Sequence, residues 1–209
     1  MGLTDDDPIW YAAYGSNCRA ARFATYLTGG RAPGSTRDER GARDPTPPRR
    51  SAACWFPSGV RFLGHSAKWG GGGVAFLDHA GGPPAPGRRY LVTKSQFDDI
   101  VAQESGRDVR AVPVDRLAPG VVTAIGDGPY DGILPLDPID GGPVVTFTSP
   151  EPWTTRPTSP PAAAYVGTIL RGLLEVHTAE AADIVAAVLA APGVGEGWTA
   201  AALTALLEK

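Results

Sequence analysis

The sequence predicts an α+β protein, and three observations carry that expectation. Short apolar runs of strand length recur over the first 150 residues, bounded by glycine, proline and small polar residues. Two segments of helical periodicity interrupt these runs, and a helical tail follows them, without regular βαβ alternation. Hydrophobic residues make up 43% of the 209, charged residues 20%, and the chain holds five Trp, six Tyr and six Phe. That is enough apolar material for a packed core. There is no internal repeat and no domain-sized linker, so one domain over residues 1–209 is expected.

Taken in order, Ile9 to Tyr14 reads as a strand of aromatic and small residues running into the turn triplet Gly15-Ser16-Asn17. Cys18 to Leu27 is helical, with Ala20, Phe23, Ala24 and Leu27 at 3–4 spacing. Residues 29–50 hold glycine, proline and charge without periodicity, which predicts a long mobile loop. Ala52–Phe56, Gly59–Leu63, Val74–Leu77 and Tyr90–Thr93 read as strands, with four glycines at 70–73 leading into the third. Ser95 is the expected cap of a helix over Lys94–Glu104, on which Phe97, Ile100 and Val101 share a face. Strands are expected at Val121–Ile125, Gly132–Leu136 and Val144–Thr148, then an extended connector from Trp153 to Pro161. Helices over Ala162–Leu174, Ala179–Ala190 (capped by Thr178) and Thr199–Leu207 complete the chain.

Composition excludes several functions. The net charge of −3 is wrong for a chain that neutralises many phosphates, so no nucleic-acid partner is expected. The six arginines from Arg31 to Arg50 are diluted by Asp38, Glu39 and Asp44. The longest apolar runs fall short of a membrane span, and the N-terminus lacks a signal-peptide pattern. A cytoplasmic protein without a membrane partner is the expectation. Cys18 and Cys54 form neither a disulfide framework nor zinc-ligand pairs, and His65, His79 and His177 are scattered. No P-loop, dinucleotide fingerprint or G-x-S-x-G elbow is present, so no metal and no cofactor are expected. Cys18 itself reads as a small buried hydrophobe rather than a thiolate.

Two features remain. A strand ending in Gly15-Ser16-Asn17 before a helix exposes successive backbone N–H groups, which suit a carboxylate or an oxyanion. The plainer alternative is a strand-to-helix turn with an asparagine cap. Glu104, after Gln103, stands at the C-terminal end of its helix, where the dipole disfavours a negative charge. A charge so placed marks either function or simple solvation.

Together these features resemble the γ-glutamylcyclotransferase-like proteins. Tyr14-Gly15-Ser16-Asn17 resembles their opening YGSN signature, and Gln103-Glu104 their Q-E pair. Trp69 and glycines 70–73 leading into Val74-Ala75, then Pro86-Gly87, then Ser159-Pro160 with Tyr165, recur in the family's order. The resemblance covers most of residues 8–190, while 29–51 is longer and more charged than the family pattern needs. It implies a small mixed β-barrel with surrounding helices. It also implies a cofactor-independent enzyme that cyclises a small-molecule γ-glutamyl amide to 5-oxoproline, releasing an amine or amino acid. Glu104 would be the catalytic acid/base. The backbone of Gly15, Ser16 and Asn17 would anchor substrate, and Tyr14 and Tyr165 would line the pocket, unless both are core aromatics. Within the same chemistry the amine side is open. The alternative from another class is a non-catalytic small-molecule binding module on the same scaffold.

Overall fold

In a computed structural model, residues 2–78 and 81–208 are described, so His79 lies outside the described residues. The elements are β1 (Pro8–Ala13), α1 (Ala20–Thr28), β2 (Arg50–Phe56), β3 (Val60–Leu63), β4 (Val74–Leu77), β5 (Ala85–Thr93) and α2 (Lys94–Glu104). Then come β6 (Thr123–Ala124), β7 (Gly132–Ile139), β8 (Gly142–Thr148), α3 (Ala163–Leu174), α4 (Ala181–Leu189) and α5 (Ala200–Ala205). The α+β class is as expected.

Six strands form one sheet in the order β2-β5-β1-β8-β7-β6. β1 lies in its middle, antiparallel to β5 with Tyr11 opposite Tyr90, and parallel to β8 with Tyr11 opposite Val145. Five of its six residues are buried, which explains why its sequence is continuously apolar rather than alternating. The expected barrel is corrected here: the sheet is open. Its ends, β2 and the two-residue β6, do not pair. β3 and β4 form a separate antiparallel pair that bonds instead to the 158–161 connector, through bridges Leu63–Thr158 and Gly72–Pro161.

That same contact accounts for the last two glycines of the run, Gly72 and Gly73. Gly73 packs so closely on Ser159 that a Cβ there would overlap its carbonyl oxygen. Gly72 likewise abuts Pro160 to Ala162, whereas Gly71 faces the His65 ring, and none of glycines 70–73 is among the residues lining the cavity described below.

Two expected caps shift. α2 is capped by Thr93, not Ser95: its hydroxyl accepts from the Gln96 N–H at 3.2 Å while the Gln96 side chain accepts from the Thr93 N–H at 3.0 Å. α4 begins after Glu180 without a side-chain cap, so Thr178 does not serve it. β5 starts five residues before the expected Tyr90, because Pro86 to Arg89 carry no apolar pattern and pair only through β1 and β2 on either side. Its buried Arg88 is met by the Cys18 carbonyl, Ser51 and the Glu175 carboxylate.

The core is one cluster around an aromatic stack. Tyr11 lies 5.3 Å from Phe147 and 5.7 Å from Phe23, whose ring stacks on Tyr90 at 3.9 Å. No helix among the described residues is long and apolar enough to cross a membrane.

Candidate active site

The loop after β1 folds into a single 3-10 turn over Ser16–Cys18 and continues into α1. The turn is fixed from behind. The Tyr90 hydroxyl donates to the Asn17 carbonyl at 2.8 Å, and Arg88 donates to the Cys18 carbonyl at 3.1 Å. α3 presses on the same turn at Gly172, where any Cβ would overlap the backbone of Cys18 and Arg19.

Glu104, the last residue of α2, is half-buried and reaches back to this turn. The Tyr26 hydroxyl donates to its Oε1 at 2.5 Å and the Asn17 amide Nδ2 donates to the same oxygen at 3.1 Å. A carboxylate can only accept, so the amide nitrogen of Asn17 must be the atom facing it. The Tyr11 hydroxyl takes the other Nδ2 bond at 3.1 Å. Gln103 acts as a staple: its Nε2 donates to the Tyr26 carbonyl at 2.9 Å and its Oε1 accepts from the Gly41 N–H at 3.0 Å.

Behind Tyr26 stands a buried charge cluster that the sequence did not disclose. The Arg22 side chain, 2% exposed, donates to the Tyr26 hydroxyl at 2.7 Å and lies over its ring. It pairs with Glu39 at 2.8 Å, and Glu39, 7% exposed, also pairs with Lys68. Burial pulls the Arg22 guanidinium pKa down, but the surrounding Tyr26, Glu104 and Glu39 outweigh it and hold it above the ordinary arginine value. Burial, reinforced by the Glu104 charge, pushes the Tyr26 hydroxyl well above the usual tyrosine range, against a smaller pull from Arg22. Tyr26 therefore stays protonated and serves as a donor. Tyr11 is raised by the same two causes.

Glu39 belongs to the segment expected to be a long mobile loop. Among the described residues that segment is tied down at several points: Gly30 and Glu39 exchange backbone bonds, Gly41 bonds Gln103, and Arg43 pairs with Asp99 at 3.0 Å.

These groups line one cavity of about 600 Å³. Glu104, Tyr14, Gly15, Ser16, Asn17 and Tyr165 are all at its wall, so all six expected site residues converge. Tyr14 and Tyr165 are also core aromatics, 7% and 4% exposed. The Tyr14 hydroxyl is committed to the Phe147 carbonyl at 2.8 Å, and that of Tyr165 accepts from the Ala75 N–H at 3.2 Å. Missed from sequence were Tyr26, Arg22, Glu39, Lys68 and Tyr11. Tyr26 lies three residues after Phe23 on the buried face of α1, which was a usable signal. Nothing local links Glu39 or Lys68 to Arg22. Cys18 is buried and donates to the Ala13 carbonyl, and burial raises its thiol pKa. No group of three or more His, Cys, Asp or Glu among the described residues is arranged to hold a metal ion.

No protein-family sequence profile matches the chain. It is 31% identical over 186 residues to a protein named histone deacetylase 5 from Arabidopsis thaliana, an alignment covering 80% of this chain and 28% of that one. The chain thus spans little more than a quarter of the length of this curated relative. A solved structure of a gamma-glutamyl cyclotransferase aligns over 81% of this chain and 80% of its own, at 16% identity and a TM-score of 0.45. An uncharacterised protein from Homo sapiens aligns over 97% of this chain and 99% of its own, at 16% identity and a TM-score of 0.53. Over nearly its whole length, then, the chain shares the α+β fold of that human protein.

Proposed function

We propose that this cavity binds a γ-glutamyl amide and cyclises it to 5-oxoproline, with Glu104 as the single acid/base, as in the γ-glutamylcyclotransferase-like family that the sequence resembles. The observation that carries this reading is the meeting of Glu104 with Asn17 and Tyr26 at the wall of a 600 Å³ cavity. The YGSN turn and the Q-E pair are 87 residues apart in sequence and meet through one hydrogen bond.

A γ-glutamyl amide carries its α-amine four bonds from the side-chain carbonyl carbon, so attack closes a five-membered lactam without water or an enzyme nucleophile. Holding the chain curled supplies much of the acceleration, up to about 7–11 kcal/mol in the best intramolecular cases. A new C–N bond forms from the α-amine and the amide C–N bond breaks. Glu104 takes the proton lost by the attacking amine and returns it to the departing nitrogen. Both structural donors occupy Oε1, and Oε2 is the oxygen proposed to carry the proton. Tyr26 and Asn17 hold the carboxylate in one orientation through both transfers. Gly15, Ser16 and Asn17 present the backbone N–H groups proposed to anchor the substrate α-carboxylate or the oxyanion, with Tyr14 and Tyr165 shaping the pocket around the glutamyl chain.

The test is incubation with a panel of γ-glutamyl amides while 5-oxoproline is followed. The Glu104→Gln variant keeps shape and removes the acid/base, and should lose about 100-fold or more in rate. Undiminished turnover by that variant overturns the assignment. Binding without product from any panel member favours the non-catalytic binding module.

A further inference from the structure

Glu104 is met at Oε1 by Asn17 of the Gly15–Asn17 turn and by Tyr26 of α1, and Tyr26 is backed by Arg22, Glu39 and Lys68, all at the cavity wall. In the pose proposed above, with the glutamyl end at the turn and the reacting centre at Glu104, the amine portion lies within the same cavity as Arg22, Glu39 and Lys68. Arg22 and Lys68 are the cations of that wall that are largely shielded from solvent, and both are already committed to the Glu39 carboxylate. The other charged groups lining the cavity contribute less. Arg37 is exposed and screened by solvent, and Asp38 is paired with Arg31 at 2.8 Å. Glu39 is the carboxylate that a carboxylate-bearing leaving group would have to displace.

Resting on the γ-glutamyl amide reading, we propose that Glu39 is a specificity-determining residue that directs the site to γ-glutamyl amides of amines lacking a carboxylate, in preference to γ-glutamyl amino acids. It does so by occupying, from the 29–50 segment, the two cations on which an amino-acid carboxylate would dock. A substrate carboxylate meets two cations that already share one buried carboxylate, and must either compete with Glu39 for them or stay in water.

The experiment compares γ-glutamyl-ethylamide with γ-glutamyl-alanine, which differ at the leaving end only by the carboxylate. kcat/KM is measured from 5-oxoproline release by the full chain. The wild-type protein should favour the ethylamide by about tenfold or more. Glu39→Gln, which frees both cations and keeps the shape, should bring that ratio to about one or below by improving γ-glutamyl-alanine. Lys68→Met leaves only the Arg22–Glu39 pair and should raise the ratio above wild type, which keeps the inference testable if Glu39→Gln does not fold. A wild-type ratio at or below one, or a ratio that neither variant moves, overturns the proposed role of Glu39 while leaving the cyclisation standing. Absence of 5-oxoproline from both compounds with the wild-type protein overturns the γ-glutamyl reading itself, and the inference with it.

Discussion

Tyr26 carries as much of the site as the glutamate it touches. Its hydroxyl accepts from Arg22 and donates to Glu104, so the guanidinium polarises the very O–H that orients the carboxylate. Tyr26→Phe retains the ring and its cation–π contact with Arg22 while deleting that donor. A hydrogen bond to a charged group contributes about 1.5–3 kcal/mol, so kcat for 5-oxoproline formation should fall about 10- to 100-fold, with KM little changed. Steady-state kinetics on the two proteins measures this directly. The cysteines lie at the opposite extreme. Burial pushes the Cys54 thiol up to about 12, so at pH 8 about one molecule in ten thousand holds the reactive thiolate. Burial raises Cys18 as well. Native protein should resist iodoacetamide at pH 8 over a period in which urea-unfolded protein is alkylated at both positions, as read by mass spectrometry.

At the scale of elements, the site depends on where α2 ends and where α1 begins. The Thr93–Gln96 capping box sets the register of α2, and with it the position of Glu104 eleven residues on. Thr93→Ala should cost about 1 kcal/mol, seen as a lower urea midpoint with an unchanged slope. α3 meets the turn before α1 through Gly172, with no room for a methyl group. Gly172→Ala should destabilise the protein by about 1–3 kcal/mol, and because the strain falls on Cys18 and Arg19, it should also loosen Asn17. Denaturation compared with ligand-free amide exchange at Asn17 separates the global from the local effect. Helix α2 was legible with both its boundaries, since Phe97, Ile100 and Val101 mark its buried face. Its cap was not, because Thr93 and Ser95 are both good N-cap residues and only the strand ending at Thr93 chooses between them.

Across the molecule, the sheet and the cavity share one aromatic column. Phe147 on β8 stacks on Tyr11 of β1, lies 6.4 Å from the Phe97 ring of α2 at a tilt of 37°, and offers its carbonyl to Tyr14. It therefore joins the strand that leads into the turn to the helix that carries Glu104. Phe147→Ala should cost about 3–5 kcal/mol of unfolding free energy, measurable by chemical denaturation. The ring also lines the cavity, so loss of stability and loss of ligand binding should appear together.

Residue patterning by itself determined the α+β class and the place of most elements, while the family resemblance implied that the YGSN turn and Glu104 belong to one site. The class and the elements follow from local periodicity and turn chemistry that a linear reading can see. Tertiary structure alone decided that the sheet stays open, that Gly72 and Gly73 make room for the 158–161 connector, and that residues 29–50 bring a carboxylate to the cavity wall. Glu39 looked like one more charge diluting a basic stretch. Its meaning rests on Arg22 and Lys68, 17 and 29 residues away in sequence, which only folding brings together around one buried carboxylate. Burial and ion pairing depend on the whole packed molecule, and no local pattern encodes them.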